Sequence, residues 1–429
     1  MRIRVKIVKY IILLGDGMSD YPVDELGGKT PLQVAKTPNM DYLAGQGRVG
    51  LAKTVPDGFP PGSDVANLSV FGYNPVECYT GRAPLEAASI GVSLHKDDVA
   101  MRCNLVTLES GTDRNTPFPP GMGDGGMGLI STSGGNESLE KFPGNLFMKD
   151  FSAGHIKTEQ ATKIIQHLGA ELSSDEFKFY PGVSYRHLLV WKGGNERIKT
   201  TPPHDITGKS ISAYLPAGDG QEKIIQLMKD SQTLLANNSI NPAANSIWLW
   251  GQGKAPTMQT YREKFGLEGS VISAVDLMKG IGIYAGLDVI NVPGATGWID
   301  TNYKGKADYA LRSLGIKDFV YVHVEAPDEA AHNGMLKEKI RAIEEFDELV
   351  VGTVLKGAGK LGDFRLLVLP DHPTPVSLKT HTADPVPFVF YDSIKAKESG
   401  IKAFDEVSAK GTGLFVEDGF KLMEMMIGN

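Results

Sequence analysis

Seven residues in this chain have the types and spacing for metal-assisted chemistry on a phosphate or similar oxyanion. Asp328 and His332 stand four apart in Asp328-Glu-Ala-Ala-His332, which on a helical turn places a carboxylate and an imidazole on one face. Asp371 and His372 are adjacent and follow Pro370, where a chain leaving a strand can turn so that both reach one centre. His381 lies in the polar stretch Lys379-Thr-His381-Thr, and Asp16 sits between two glycines. Carboxylate oxygens and imidazole nitrogens, with no thiolate among them, suit two divalent ions of the manganese or zinc kind. The seventh residue is Ser63 in Pro60-Pro-Gly62-Ser63-Asp64, which reads as a loop entering a helix. A helix N-terminus favours an anion, and a neighbouring cation would lower the hydroxyl pKa towards that of a nucleophile.

Each residue also has a plainer reading. An aspartate between glycines is an ordinary turn residue, and a serine at a helix entry is an ordinary N-cap. Asp328 could cap a helix with His332 facing solvent, and Asp371-His372-Pro373 could be a turn. What sets the group apart is what precedes it. Residues 10–14, 318–325 and 364–370 are apolar, β-branched runs, and each ends beside one of these aspartates. Runs of this kind suit strands buried on both faces. Helical stretches at 306–314 and 337–355 precede the second and third. Alternating strand and helix predicts an α/β fold with a mainly parallel sheet flanked by helices, in which ligands collect outside the carboxyl ends of the strands.

Between the outer segments the pattern changes. Residues 113–136 are dense in Gly, Pro, Ser and Thr and read as a mobile loop. The expected organisation is a discontinuous core, 1–90 with 255–429, and an inserted smaller α+β domain over 95–250. Gly123-Asp-Gly-Gly-Met-Gly128 follows no predicted strand, so it is read as flexible and no nucleotide is expected.

Composition excludes several classes. The 429 residues are 41% hydrophobic and 22% charged, which excludes a disordered or fibrous chain. The net charge of -7, with no long Lys/Arg run, argues against nucleic acid or an anionic membrane as partner. Two cysteines, Cys78 and Cys103, make no disulfide framework and suit a reducing cytoplasm. The basic and apolar start is interrupted by Lys6 and Lys9 and ends at Gly15-Asp16-Gly17, so it reads as a strand rather than a leader.

Gly15-Asp16-Gly17-Met18, Gly62-Ser63-Asp64, Asp328-Glu-Ala-Ala-His332, Asp371-His372 and His381 together resemble the alkaline phosphatase superfamily. More closely, the chain resembles the archaeal-type cofactor-independent phosphoglycerate mutases over essentially its whole length, with Thr80-Gly-Arg82-Ala-Pro-Leu-Glu86 and Pro293-Gly-Ala-Thr-Gly297 in support. The resemblance implies interconversion of 2- and 3-phosphoglycerate without 2,3-bisphosphoglycerate. Ser63 would carry the phosphoryl group. Asp16, Ser63, Asp371 and His372 would surround one ion, and Asp328, His332 and His381 the other. The inserted domain would hold the small phosphate-ester substrate, with Arg82, Arg186, His204, Asp205, Trp250 and Gln252 as candidates. A related phosphotransferase or phosphatase on the same core, such as the homoserine kinase proposed for some members, is the alternative. A monomer is expected, because both halves of the site come from one chain.

Overall fold

The computed structural model describes residues 8–111 and 145–428. The expected mobile loop over 113–136 lies outside them, as does the glycine cluster at 123–128. The chain divides into two compact units, one of Met1–Tyr79, Ala88–Val92 and Pro256–Asn429, the other of Thr80–Ala87 and Ser93–Ala255.

The first unit is built on an eight-stranded sheet whose centre is the strand Lys9–Gly15. This strand is flanked by Phe364–Leu369 and Phe319–Val324, and both neighbours run parallel to it. Leu14 is in register with His323 on one side and Leu369 on the other, so the three strands end at one level. The chain therefore leaves them at Asp16, Glu325 and Asp371 along a single edge, which is how residues over 300 positions apart in sequence come together. Ile11 to Leu14, Val320, Val322 and Leu366 to Leu369 are wholly buried, as strands covered on both faces require. Towards the other edge, Val386–Asp392 and Arg48–Ala52 pair antiparallel, which makes the sheet mixed though mainly parallel.

Helix Tyr303–Leu314 precedes the strand Phe319–Val324. The single helix read over 337–355 is corrected in one respect: a π-helical turn at Phe346–Val351 separates Leu336–Glu345 from Gly352–Ala358. That turn carries Asp347, whose carboxylate accepts from the Asn39 and Met40 amides at 3.1 and 2.7 Å. It thereby supplies the N-terminus of helix Pro38–Gln46, where Thr37 makes no side-chain cap.

The second unit holds a five-stranded antiparallel sheet. Its long strand Val99–Ser110 pairs with Leu146–Asp150, Arg186–Trp191 and Ser246–Gly253. Helices Thr158–Leu172 and Gln221–Leu235 bury Ile164, Leu168 and Met228 in the same core as Trp248 and Leu249 of that sheet. Among the described residues no helix is long and apolar enough to cross a membrane.

Candidate metal centre and nucleophile

Ser63 opens helix Ser63–Val70, and the N-cap is Gly62 in extended backbone with no side-chain cap bond. The N-cap reading of Ser63 is thus corrected: the hydroxyl is one residue too far into the helix to serve there. Ser63 Oγ instead lies 3.1 Å from His372 Nε2. Asn67, one turn on, holds the helix in place. Its Nδ2 donates to the Ser63 carbonyl at 2.8 Å and to Asp371 Oδ2 at 2.7 Å. Its Oδ1 accepts from the Tyr321 hydroxyl, and the Tyr321 ring stacks on Phe71 at 3.9 Å.

Asp371 and His372 are wholly buried. Asp371 Oδ1 accepts from the amides of Gly17 and His372 at 3.2 and 2.9 Å, and Oδ2 takes the Asn67 bond. His372 Nε2 stands 3.4 Å from Asp371 Oδ2 and 3.6 Å from Asp16 Oδ1. Serine hydroxyl, two carboxylates and imidazole thus face one another. Gly17 makes the approach possible, for at its φ of +60° a Cβ would come within 2.6 Å of Asp328 Oδ1 and Thr374 Oγ1.

Asp328, His332 and His381 form a neighbouring group. Asp328 lies in the first turn of helix Ala326–His332, whose N-cap is Glu325, so Asp328 is not the cap. His332 Nε2 is 3.2 Å from Asp328 Oδ2 and 2.8 Å from His381 Nε2. His381 Nε2 is 3.5 Å from Asp328 Oδ1. Two outer contacts orient these rings. The Lys379 carbonyl, held at a φ of +56°, can only accept, so His332 Nδ1 donates to it at 2.9 Å and Nε2 is turned towards Asp328. Thr374 Oγ1 gives its proton to Asp328 Oδ1 at 2.5 Å and accepts from His372 Nδ1 at 3.2 Å, which leaves His372 Nε2 bare. Both Nε2 atoms face carboxylates, that of His332 facing Asp328 and that of His372 facing Asp16 and Asp371.

The residues fit divalent cations. Asp328, His372 and His381, and likewise Asp16, Asp371 and His372, offer ligand atoms within 4.8 Å of one another. Burial and then the charges of Asp371 and Asp328 push the Asp16 carboxyl well above its usual range, a strain that a cation between them would remove. Asp16 Oδ1 is also buried with no hydrogen-bond partner. Asp328 behaves differently: burial would raise it, yet bonds from His332 and His381 hold it well below the usual range. Against its own burial, His332 is pushed up to about 9 by Asp328.

Asn67, His323, Thr374 and the buried Lys339 were missed by sequence reasoning. Lys339 Nζ donates to the Ser19 and Thr374 carbonyls at 3.1 and 2.9 Å and to Asp20 Oδ2 at 2.8 Å, clamping two of the ligand-bearing loops. Two signals were available: Asn67 lies four residues from Ser63, and Tyr321 and His323 interrupt an otherwise apolar strand at alternate positions.

The second unit brings several of the remaining candidates together. Arg82 Nε and Arg102 Nε flank the Glu86 carboxylate at 3.1 and 2.9 Å. Burial would raise Glu86, but Arg102 and Arg82, with help from Arg186, hold it below its usual range. Burial lowers Arg102 to about 10, partly opposed by Glu86. Three guanidinium groups acting on one carboxylate leave a local excess of positive charge. Arg102 lies 4.2 Å over the Trp250 ring, and His204 packs edge-on to that ring at 5.4 Å. Trp250 is buried and belongs to the unit's core. Asp205 is exposed on the short turn Pro203–Ile206 and caps nothing with its side chain. Gln252 ties its own unit together, accepting from Thr200 Oγ1 at 2.6 Å and donating to the Ile198 carbonyl.

A sequence profile of the 2,3-bisphosphoglycerate-independent phosphoglycerate mutases matches residues 44–241. A Geobacter sulfurreducens protein named a probable 2,3-bisphosphoglycerate-independent phosphoglycerate mutase is 54% identical, over 98% of this chain and 100% of its own length. A Methanosarcina barkeri protein named as that mutase is 50% identical, over 98% of this chain and 99% of its own. Among solved structures, a Pyrococcus horikoshii protein superposes with a TM-score of 0.77 at 27% identity, covering 99% of this chain and 97% of that one. The cofactor-independent phosphoglycerate mutase of Thermoplasma acidophilum shares the fold, with a TM-score of 0.61 at 24% identity over 99% of both chains. With identities this high sustained across its whole length, the chain belongs to the 2,3-bisphosphoglycerate-independent phosphoglycerate mutase family.

Proposed function

We propose that this chain interconverts 2-phosphoglycerate and 3-phosphoglycerate through a phosphoserine on Ser63, with neither 2,3-bisphosphoglycerate nor a nucleotide. The observation that carries this is the position of Ser63 Oγ at a helix entry, unused for capping and 3.1 Å from the bare Nε2 of His372. Asp16, Ser63, Asp371 and His372 would hold one divalent ion and Asp328, His332 and His381 the other, with manganese or zinc best matching the donors. When bound, such ions lower the hydroxyl pKa and neutralise charge on the phosphoryl group.

The chain's own residues perform a two-step exchange. Ser63 Oγ gives up its proton and bonds to phosphorus, and the bond from phosphorus to one glycerate oxygen breaks, that oxygen taking up a proton. The other glycerate hydroxyl then gives up a proton and bonds to phosphorus, and the Ser63 oxygen leaves and takes a proton back. No water is consumed, so the phosphoserine must be kept from hydrolysis. The unit of Thr80–Ala87 and Ser93–Ala255 is the substrate domain in this scheme. Its Arg82, Arg102 and Arg186 cluster supplies the excess positive charge that would hold the glycerate carboxylate, with Trp250 and His204 as walls. The enzyme would be monomeric and cytoplasmic.

The test is incubation of the full chain with 3-phosphoglycerate and Mn2+, followed by phosphorus NMR. Appearance of 2-phosphoglycerate is expected. Free phosphate without it would overturn the mutase assignment in favour of a phosphatase on the same core. Ser63→Ala should abolish turnover, and a turning-over variant would overturn the phosphoserine.

A further inference from the structure

We infer that His323 is a positioning residue that fixes which oxygen of Asp16 is presented to the metal. The inference rests on Asp16 being a metal ligand. His323 is buried in the strand Phe319–Val324, between Ser273 and Asp16. Its Nε2 is 2.9 Å from Asp16 Oδ2, and its Nδ1 is 3.2 Å from Ser273 Oγ. A leucine would fill this apolar strand at less cost, so the imidazole calls for a polar reason.

The direction of the bonds follows from the partners. A carboxylate that holds a cation is ionised and only accepts, so the Nε2 facing Asp16 must carry the proton. With that proton on Nε2, Nδ1 is the ring atom left to accept. Ser273 can meet this, because its Oγ already accepts from the Val275 amide at 3.0 Å and has its own proton to give. Protons thus run one way: Val275 to Ser273, Ser273 to His323, His323 to Asp16. This chain of bonds occupies Asp16 Oδ2 and leaves Oδ1 as the buried oxygen with no partner, turned towards His372 Nε2 at 3.6 Å. Without His323 the carboxylate could rotate and exchange its two oxygens. The strand is itself fixed nearby, since the buried Lys306 Nζ donates to the His323 carbonyl at 2.9 Å.

Replacement by Gln and by Asn separates positioning from bulk polarity. Glutamine can place an N–H where Nε2 sits, whereas asparagine reaches only as far as Nδ1. Mn2+ titration of the chelated full-length chain, by calorimetry and by electron paramagnetic resonance, reads both ions without catalysis. His323→Asn is expected to weaken one of two Mn2+ sites by about 10–100-fold, the range for loss of an outer-sphere partner, while the other site is unchanged. His323→Gln should stay near wild type. Equal Mn2+ affinities for the two variants would overturn the inference. So would a ring tautomer protonated at Nδ1 in 15N-histidine spectra of the wild-type chain. Asp16→Asn tells the two failures apart. If that variant keeps both ions at wild-type affinity, the ligand assignment of Asp16 is wrong. If it loses one ion while His323→Asn loses none, only the positioning role falls.

Discussion

The contact between Asn67 and Tyr321 lends itself to a double-mutant cycle, because one of its members can be removed without changing shape. Asn67 is wholly buried and binds three groups: the Ser63 carbonyl, Asp371 Oδ2 and the Tyr321 hydroxyl. The substitution Asn67→Leu keeps the volume and removes all three bonds. The Ser63 carbonyl retains its place in the helical ladder, so two groups are stranded at about 1–3 kcal/mol each, or about 2–6 kcal/mol in all. Tyr321→Phe alone strands Asn67 Oδ1, for about 1–3 kcal/mol, while the ring keeps its stack on Phe71. In the Asn67→Leu background the tyrosine hydroxyl is already an orphan, so removing it should cost nothing or stabilise. The coupling is therefore about 1–3 kcal/mol. Hydrogen exchange of the strand Phe319–Val324 in the full chain reads these energies within the larger unit. Asn67→Leu should also lower kcat by about 100-fold, since Ser63 loses its tie to Asp371. Additive stabilities in the cycle, or Asn67→Leu with wild-type kcat, would refute the tie.

Arg186→Ala should raise KM for 3-phosphoglycerate by roughly 10–100-fold, the worth of one charge-assisted bond, with kcat and Mn2+ binding little changed; an unaltered KM removes Arg186 from the substrate site. His187, which belongs to the second unit, gives a pH effect of its own. Burial lowers its pKa from 6.5 to about 3, so the unfolded chain binds the extra proton between those values. Stability should therefore be complete above pH 6.5 and fall as pH drops towards 3, by about 2 kcal/mol between pH 7 and pH 5. His187→Phe should flatten that slope in urea titrations at the two pH values, and an equal slope in both proteins counts against the buried neutral imidazole.

Much of the candidate centre was legible because its residues are of types that apolar strands do not otherwise carry. Asp16, Asp328, Asp371 and His372 stand out at the ends of β-branched runs, and that pattern survives without any knowledge of pairing. The supporting residues were illegible for the opposite reason. Asn67 looks like any polar residue on a helix, and Lys339 looks like a solvated lysine until its amine is found wholly buried against Asp20. The arginine cluster around Glu86 was half visible. Arg82 and Glu86 are four apart on one helical face, whereas Arg102 lies in a strand whose register with Ser246–Gly253 brings it opposite Trp250.

By itself the sequence determined which segments become buried parallel strands and which residues could bind a cation, since both follow from local side-chain chemistry and period. Tertiary structure alone decided which partners each of those residues meets. Parallel pairing aligns three strand ends, so Asp16 meets His323 across 307 residues and Asn67 meets Asp371 across 304. Burial then makes every hydrogen bond count, because a polar atom without water must find a partner or remain an orphan. The same accounting moved the Ser63 hydroxyl off the cap and against His372, and singled out Asp16 Oδ1 as a buried oxygen with no hydrogen-bond partner.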